Sequence, residues 1–430
     1  MLRDLLIWIA NNLFNQVAIL IGLIVLLGYA IQGKRSEEVV AGALRATIGV
    51  LILFIGIDVF VGGLLSFQTV VSSAFHLKPP QATKTLADFL RTNGSTIALI
   101  ITLGFLIHAL LVRFVPFFRY VYLTGHLMFW ISVVVAATLV EAFPKITPAA
   151  LVLWGSIIVA VYWSVQPMYI ARYMRKVIGS DDYGFGHTSS AGCYLAARLA
   201  PYVGSKEKYD TERLRLPRRL AFFKDVNAST ALVIGVIMLL AMLFADKALV
   251  ADQAKKFNAT IDPWVWGILV ALRFAAGIAI LLFGVRMFLA EIVPAFVGVS
   301  DRIIPGSKPA LDVPTVFPSA PTAVMVGFLS STVTFLILMA IFGAAGWFTL
   351  VPPMIMLFFP GGGAGVFGNT YGGWRGAALG GVINGLFLAI GQATAWGLLS
   401  HTAPELATLG DPDWYIIIWV LRAVLSPFKS

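Results

Sequence analysis

Apolar runs long enough to cross a bilayer recur from one end of the chain to the other, and no other feature restricts the fold so severely. A helix needs about 20 mainly apolar residues to span roughly 30 Å of hydrocarbon. The runs that approach or exceed that length are 13–31, 39–65, 95–112, 121–142, 148–171, 228–246, 264–290, 320–343, 376–400 and 412–427. Hydrocarbon offers backbone N–H and C=O groups no partner, so each span must be a helix or part of a closed barrel. The runs lack the strict alternation of a barrel strand, which leaves helices. Only 12% of residues are charged, about half the share of a soluble domain, and the mean hydropathy is +0.88. The expectation is an all-α polytopic membrane protein, one membrane-embedded unit over residues 1–430, with about 10–12 transmembrane helices.

Two shorter apolar pieces, 188–203 and 347–368, are too broken for simple spans. They read as re-entrant or discontinuous helices, tolerated at membrane depth only where protein or a cavity covers their backbone. The first run has no basic n-region followed by a small-residue cleavage site, so it reads as a retained span. The single cysteine, Cys193, excludes an internal disulfide and a thiolate metal cluster. It reads as a small buried residue.

The net charge is +10. Its distribution points to membrane orientation and away from nucleic acid. Lys34 and Arg35, Arg113 and Arg119, and Arg172, Arg175 and Lys176 follow the first, third and fifth runs. The loop 204–225 adds seven more basic residues, while the alternate loops hold fewer. The basic loops are therefore expected on the cytoplasmic side, with the N-terminus outside. Within that loop, "LRLPRRLAFFKD" is basic and amphipathic and is expected to lie along the inner membrane surface.

The chain also repeats itself. "ALRATIGVLILFIGIDVF" at 43–60 matches "ALRFAAGIAILLFGVRMF" at 271–288 at an offset of 228. A shared Ala-Leu-Arg start and two glycines in register, Gly49 with Gly277 and Gly56 with Gly284, go beyond what apolar composition alone produces. Repeats of approximately 13–203 and 228–400 follow. Loop charge makes them inverted, which places a site near the midplane between them.

Four polar segments interrupt the apolar pattern: "LTGHLMFW" with His126, "YGFGHTSSAGCY" with His187, "IPGSKPALDVPTVFPSAPTAV" with Asp312, and the glycine-rich "FFPGGGAGVFGNTYGGWRG". Each has a bland alternative. A membrane histidine is an interfacial residue or a ligand contact. Asp312 is a cap or an acceptor. The glycines form a turn and tight packing or admit a ligand. Asp58 occupies the repeat position of Arg286, which makes those two a candidate charge pair, and Glu291 suits a structural pair with another residue. There is no GxxxxGK[ST], no HExxH and no GxSxG, so ATP hydrolysis through a P-loop, metal-protease chemistry and a serine hydrolase all lack their residues.

With those segments assembled, the chain resembles the membrane IIC component of the bacterial phosphotransferase system, ascorbate branch, with the galactitol permease more distant. The likeness is carried by "NQVAILIGLIVLLGY", "YLTGHLMFW", "YGFGHTSSAGCYLAARLAPYVG", "LRLPRRLAFFKDVNASTA", "GVFGNTYGGWRGA" and above all the stretch 284–317. The resemblance implies a plasma-membrane homodimer, each protomer with a core domain and a V-shaped dimerisation domain. It implies elevator-like transport of ascorbate or a related sugar acid or polyol. It implies phosphorylation by cytoplasmic IIA and IIB proteins, the IIB carrying a phosphocysteine. The chain as given ends at "SPFKS" soon after its last run, so those proteins are expected to be separate and no residue of this chain is expected to be phosphorylated. No cofactor, metal or catalytic residue is implied.

The resemblance places substrate contacts at His126, His187 and Asp312. Thr124, Gly186, Thr188 and Ser189 stand beside them and complete the expected cradle. The chain departs from the ascorbate pattern where glutamines follow both histidine motifs: Trp130 and Ile131 follow the first, Thr188 and Ser189 the second. The alternative reading is a secondary transporter on the same scaffold, driven by an ion gradient, with Asp312, Asp58 or Glu291 titrating. A membrane enzyme is a weaker third class, since no catalytic motif is present.

Overall fold

The computed structural model describes residues 16–77, 80–213 and 226–428, with Asp4, Leu5, Trp8 and Asn12 ahead of them. The basic strip 214–225, expected along the inner membrane surface, lies outside the described residues, as does the start of the first apolar run. The apolar runs become helices: α1 (Val17–Ile31), α2 (Ser36–Ala74), α3 (Leu86–Phe114), α4 (Gly125–Ala142) and α5 (Pro148–Ile178). After the short α6 (Ser190–Leu199) come α7 (Val226–Phe244), α8 (Lys247–Phe257) and α9 (Pro263–Arg302), then α10 (Pro321–Ala344), α11 (Met354–Leu398) and α12 (Pro412–Leu425).

Among the described residues, seven helices are long and apolar enough to cross a membrane: α2 over 36–59, α3, α4, α5, α9, α10 and α11. Of the remaining runs, α1 and α12 are helical but shorter, with 15 and 14 residues. One helix, α8, falls in what reads in sequence as a charged loop. Its start is fixed by Asp246, which accepts from the N–H groups of Ala248 and Leu249 at 2.7 and 2.9 Å, and Lys255 and Lys256 sit in its last turn, where cations suit the helix dipole.

The two repeat helices, α2 and α9, pack against each other antiparallel. Gly49 meets Phe288, Gly56 meets Leu281, and Gly63 meets Val270 and Phe274, so one helix rises as the other descends. The contacts are reciprocal. A methyl added at Gly56 would lie 2.3 Å from the Leu281 nitrogen and 2.8 Å from the Gly277 oxygen. One added at Gly284 would lie 2.3 Å from the Leu53 nitrogen and 2.6 Å from the Gly49 oxygen. Lacking Cβ atoms, the two backbones touch, the usual way for membrane helices to gain dispersion energy without a hydrophobic drive. Helix α1 lies on the same pair. Tyr29 Oη donates to Glu291 Oε2 at 2.9 Å, and Arg45 Nε meets Glu291 Oε1 at 2.5 Å. Glu291 is therefore the structural partner in this scaffold. The pairing of Asp58 with Arg286 does not form among the described residues: both side chains are exposed and Arg286 lines a separate surface pocket.

The glycine-rich segment builds a helical hairpin. Gly373, with φ 63° and ψ −155°, breaks α11 into two arms that fold back on each other, so that Gly368 meets Gly376 and Ala364 meets Gly380. A left-handed φ of this kind is open to glycine at little cost. Helix α10 crosses the hairpin where Gly327 touches the backbone of Gly361 and Gly365. Far from the tip, Gln392 closes the open end by accepting from Val351 N at 2.6 Å and donating to Val351 O at 3.0 Å. The piece 347–368, expected to be re-entrant, is thus largely one arm of this hairpin, whereas 188–203 is the ten-residue α6 followed by a 3-10 turn over 200–202.

A feature absent from the sequence reading organises the centre. Three short parallel strands, β1 (Tyr120–Tyr122), β2 (Gly184–Phe185) and β3 (Lys308–Leu311), pair in the order β1-β3-β2. An edge strand leaves N–H groups unpaired, a serious cost in a buried setting. Here His108 from α3 answers one of them. Its Nε2 accepts from Tyr122 N at 3.0 Å, which puts the proton on Nδ1, 2.8 Å from Ser164 Oγ. Both nitrogens of this fully buried imidazole are engaged. At the opposite end of the sheet Lys308 pairs with Asp181 at 2.5 Å, and burial, then the Asp181 charge, pushes the Tyr120 phenol up to about 12, so it stays a donor.

Candidate functional site

Each strand of the small sheet hands the chain directly to a site residue. β1 runs into Thr124 and His126, β2 into Gly186 and His187, and β3 into Asp312. Because the strands are parallel, all three exits lie at the same end. Backbone bonds fix the exits: Gly186 N donates to Leu311 O at 2.7 Å and Leu123 N to Ala310 O at 3.1 Å. Gly186 is required there, since a methyl would lie 2.9 Å from the Ala310 oxygen.

Asp312 stands between the two imidazoles. Its Oδ2 lies 3.6 Å from His126 Nε2 and its Oδ1 lies 3.7 Å from His187 Nε2. Both separations exceed hydrogen-bond length, so the groups frame a space without closing it. Oδ1 accepts from Val313 N at 2.6 Å, which pins the carboxylate and leaves Oδ2 facing outward. His187 is pinned as well. Its Nδ1 accepts from Ser189 N at 3.0 Å, so in the neutral ring the proton sits on Nε2, the nitrogen turned toward Asp312.

The space they frame is a cavity of about 340 Å³. His126, His187 and Asp312 line it, together with Trp130, Asp411 and Trp414, the Val313-Pro314 turn and the start of α11. Phe54 and Ile57 of α2 close one side. A smaller pocket of about 40 Å³ beside Thr124 shares Phe54, His126 and Asp312 with it. Helices α4, α11 and α12 all present their first turns to this cavity, and α6 begins three residues after His187. Open N–H groups in the first turns of α4 and α11, and aligned peptide dipoles at all four ends, favour anions and oxygen lone pairs, while Asp312 and Asp411 supply acceptors. The combination suits a guest rich in hydroxyl and oxyanion groups.

The other expected site residues stand behind this wall. The Thr124 hydroxyl donates to Gly186 O at 2.6 Å. The Thr188 hydroxyl donates to Asp411 Oδ2, and the Ser189 hydroxyl lies 2.9 Å from His187 Nδ1. Thr188 and Ser189 are thus committed to residues that line the cavity, and Thr124 to the backbone just before His187. Cys193 is fully buried beside Ser189, 3.7 Å away. The glycine run contributes through α11's first turns, Phe359 and Pro360, rather than through the hairpin tip.

Asp411 and Trp414 are the lining residues that sequence reasoning missed. They come from "GDPDWY", where two carboxylates flank a proline at the start of an apolar run. Ionisable residues at such a place are rare enough to count as a signal. Asp413 locks the segment to α6: it accepts from Ser190 Oγ at 2.5 Å, Ala191 N at 2.8 Å and Tyr162 Oη at 2.8 Å, while its own N–H donates to Thr188 O at 2.9 Å.

A family model described as the PTS system sugar-specific permease component, EIIC-GAT, matches residues 12–413. The chain belongs to that family. A similar protein is the ascorbate-specific PTS system EIIC component of Mycoplasma pneumoniae, 28% identical over 421 residues. The alignment covers 86% of this chain and 63% of that relative, so the chain spans somewhat under two thirds of the curated protein it matches. Family membership and the long apolar helices together make this permease component a multi-pass plasma-membrane protein. All three strands, both Gly-His motifs and Asp411 lie inside the matched region, which ends one residue before Trp414.

Proposed function

We propose that this permease component carries ascorbate or a related sugar acid across the membrane, with separate cytoplasmic IIA and IIB proteins phosphorylating the sugar. The observation that carries the reading is the convergence of His126, His187 and Asp312 on one cavity within the family-matched segment. A substrate hydroxyl placed in the gaps of 3.6 and 3.7 Å donates to Asp312 and accepts from the His187 Nε2–H. A second oxygen accepts from His126, whose ring makes no hydrogen bond among the described residues. An enolate or carboxylate oxygen gains from the helix N-termini around it. No residue of this chain takes the phosphoryl group in this scheme.

Movement is of the elevator type. The polar groups of the site all come from the strand ends, α4 and the α12 segment, whereas α2 contributes only Phe54 and Ile57. A core holding its ligand can slide past such an apolar surface without breaking a polar contact. The reciprocal glycine contacts of α2 and α9 support a scaffold made from inverted repeats of approximately 13–203 and 228–400. A homodimer accounts for the apolar stripe Leu44, Ile48, Leu51 and Ile55 exposed on α2, which a second copy or lipid would cover. Radiolabelled ascorbate and pentitol uptake, with and without purified IIA and IIB, tests the coupled scheme. Dependence on both proteins and on phosphodonor is expected. Uptake that ignores them but collapses with a protonophore sinks it in favour of an ion-driven carrier.

A further inference from the structure

We propose that Asp411, Trp130 and Trp414 form a second face of the ligand site, and that this face selects a ring-closed sugar acid over an open-chain polyol. The inference rests on the sugar-permease reading and narrows it.

Asp411 is 5% exposed and lines the cavity. Its Oδ2 accepts from Thr188 and stands 3.9 Å from His187 Nδ1. Its Oδ1 makes no hydrogen bond among the described residues. A carboxylate oxygen that faces the cavity without a donor is placed to accept from a hydroxyl arriving there. Asp411 also stands off the Nδ1 edge of His187 while Asp312 stands off the Nε2 edge. Two acceptors with an imidazole between them match neighbouring hydroxyls along the rim of one ring.

The flat side of such a ring has its own counterpart. Trp130 lies one helical turn beyond His126 on the same face of α4, and Trp414 lies three residues beyond Asp411. The two indoles have centroids 6.0 Å apart at an interplanar angle of 31°, an offset and tilted pair, and both line the cavity. Trp414 Nε1 is buried and makes no hydrogen bond among the described residues. The negative π face of an indole attracts the polarised C–H groups on one side of a sugar ring. An extended polyol presents no comparable flat side.

Equilibrium binding of L-ascorbate, D-glucuronate and galactitol to the full-length chain in lipid nanodiscs tests this. The expected result is a preference for the two ring compounds of about 10-fold or more, the scale of one lost charge-assisted hydrogen bond. Asp411→Asn keeps an oxygen for Thr188 yet removes the charge. It should weaken both ring compounds about 10-fold, with thermal unfolding unchanged. Trp130→Gln should weaken the ring compounds and narrow their advantage over galactitol, a change in ratio that a merely loosened fold would not produce. If Asp312→Asn abolishes ascorbate binding while Asp411→Asn and Trp130→Gln leave affinity and ring preference intact, the second face is wrong and the permease reading stands. Equal binding of galactitol by the wild type also overturns it. If no probe binds the wild type, both readings fall together.

Discussion

The two Gly-His motifs begin alike and end differently. Each follows a strand of the same sheet and delivers an imidazole to the same carboxylate. The His187 side chain is 6% exposed and held at Nδ1 by Ser189, with Asp411 and Thr188 behind it. The His126 side chain is 43% exposed and no hydrogen bond restrains its ring among the described residues. One motif supplies a donor of fixed direction; the other supplies a donor that can follow its guest. His108 marks the opposite limit, an imidazole with both nitrogens consumed by the sheet edge and Ser164. Burial alone therefore does not distinguish a working histidine. What distinguishes it is a nitrogen left facing a cavity.

The largest effect expected is at the group both motifs share. Asp312→Ala should cost about 3 kcal/mol of binding, roughly 150-fold in ascorbate affinity, because it removes the charged acceptor that stands between both imidazoles and takes the substrate hydroxyl's hydrogen bond. Isothermal titration of the purified protein measures it, and a wild-type affinity would displace the site. His187→Ala should come next, at about 2 kcal/mol or ~30-fold, since a pre-oriented donor loses little entropy on binding. His126→Ala should cost less, about 1 kcal/mol or ~5-fold, because part of its bond energy is spent in ordering the ring. An inverted order of these two variants would break the contrast between fixed and adaptable donors. The smallest change is Ser189→Ala, which removes the hydroxyl but keeps the backbone N–H that sets the His187 tautomer. It should alter affinity by about 0.5 kcal/mol, ~2-fold, on the same titration.

Much of this was legible because membrane sequences make polar residues conspicuous. Thr124, Gly186, Thr188 and Ser189 were placed near the site by sequence adjacency, and the fold puts them there as supports of its wall. The sheet was not legible. Strands of two to four residues carry no periodic signal, and their pairing joins segments far apart in the chain. Asp411 was hidden for the same reason, since Asp-Pro at a helix start also describes an ordinary cap and only the fold brings it to Thr188. The repeat was visible in the glycines, yet the charge pair inferred from it fails on geometry. In an antiparallel crossing where Gly49 meets Phe288 and Gly56 meets Leu281, Asp58 stands level with residues near 279. That is about seven residues, ~10 Å, from Arg286.

The middle strand of the sheet has a consequence for biogenesis. β3 enters between β1 and β2 but is synthesised more than a hundred residues after them. Until it arrives, Tyr120–Tyr122 and Gly184–Phe185 have no neighbour to pair with, and His126 and His187 face no carboxylate from Asp312. The nascent first half must therefore wait in the membrane with open backbone groups. A chain severed in the 214–225 stretch should yield two fragments that acquire ligand binding only when made together, with β3 closing the gap from the other piece.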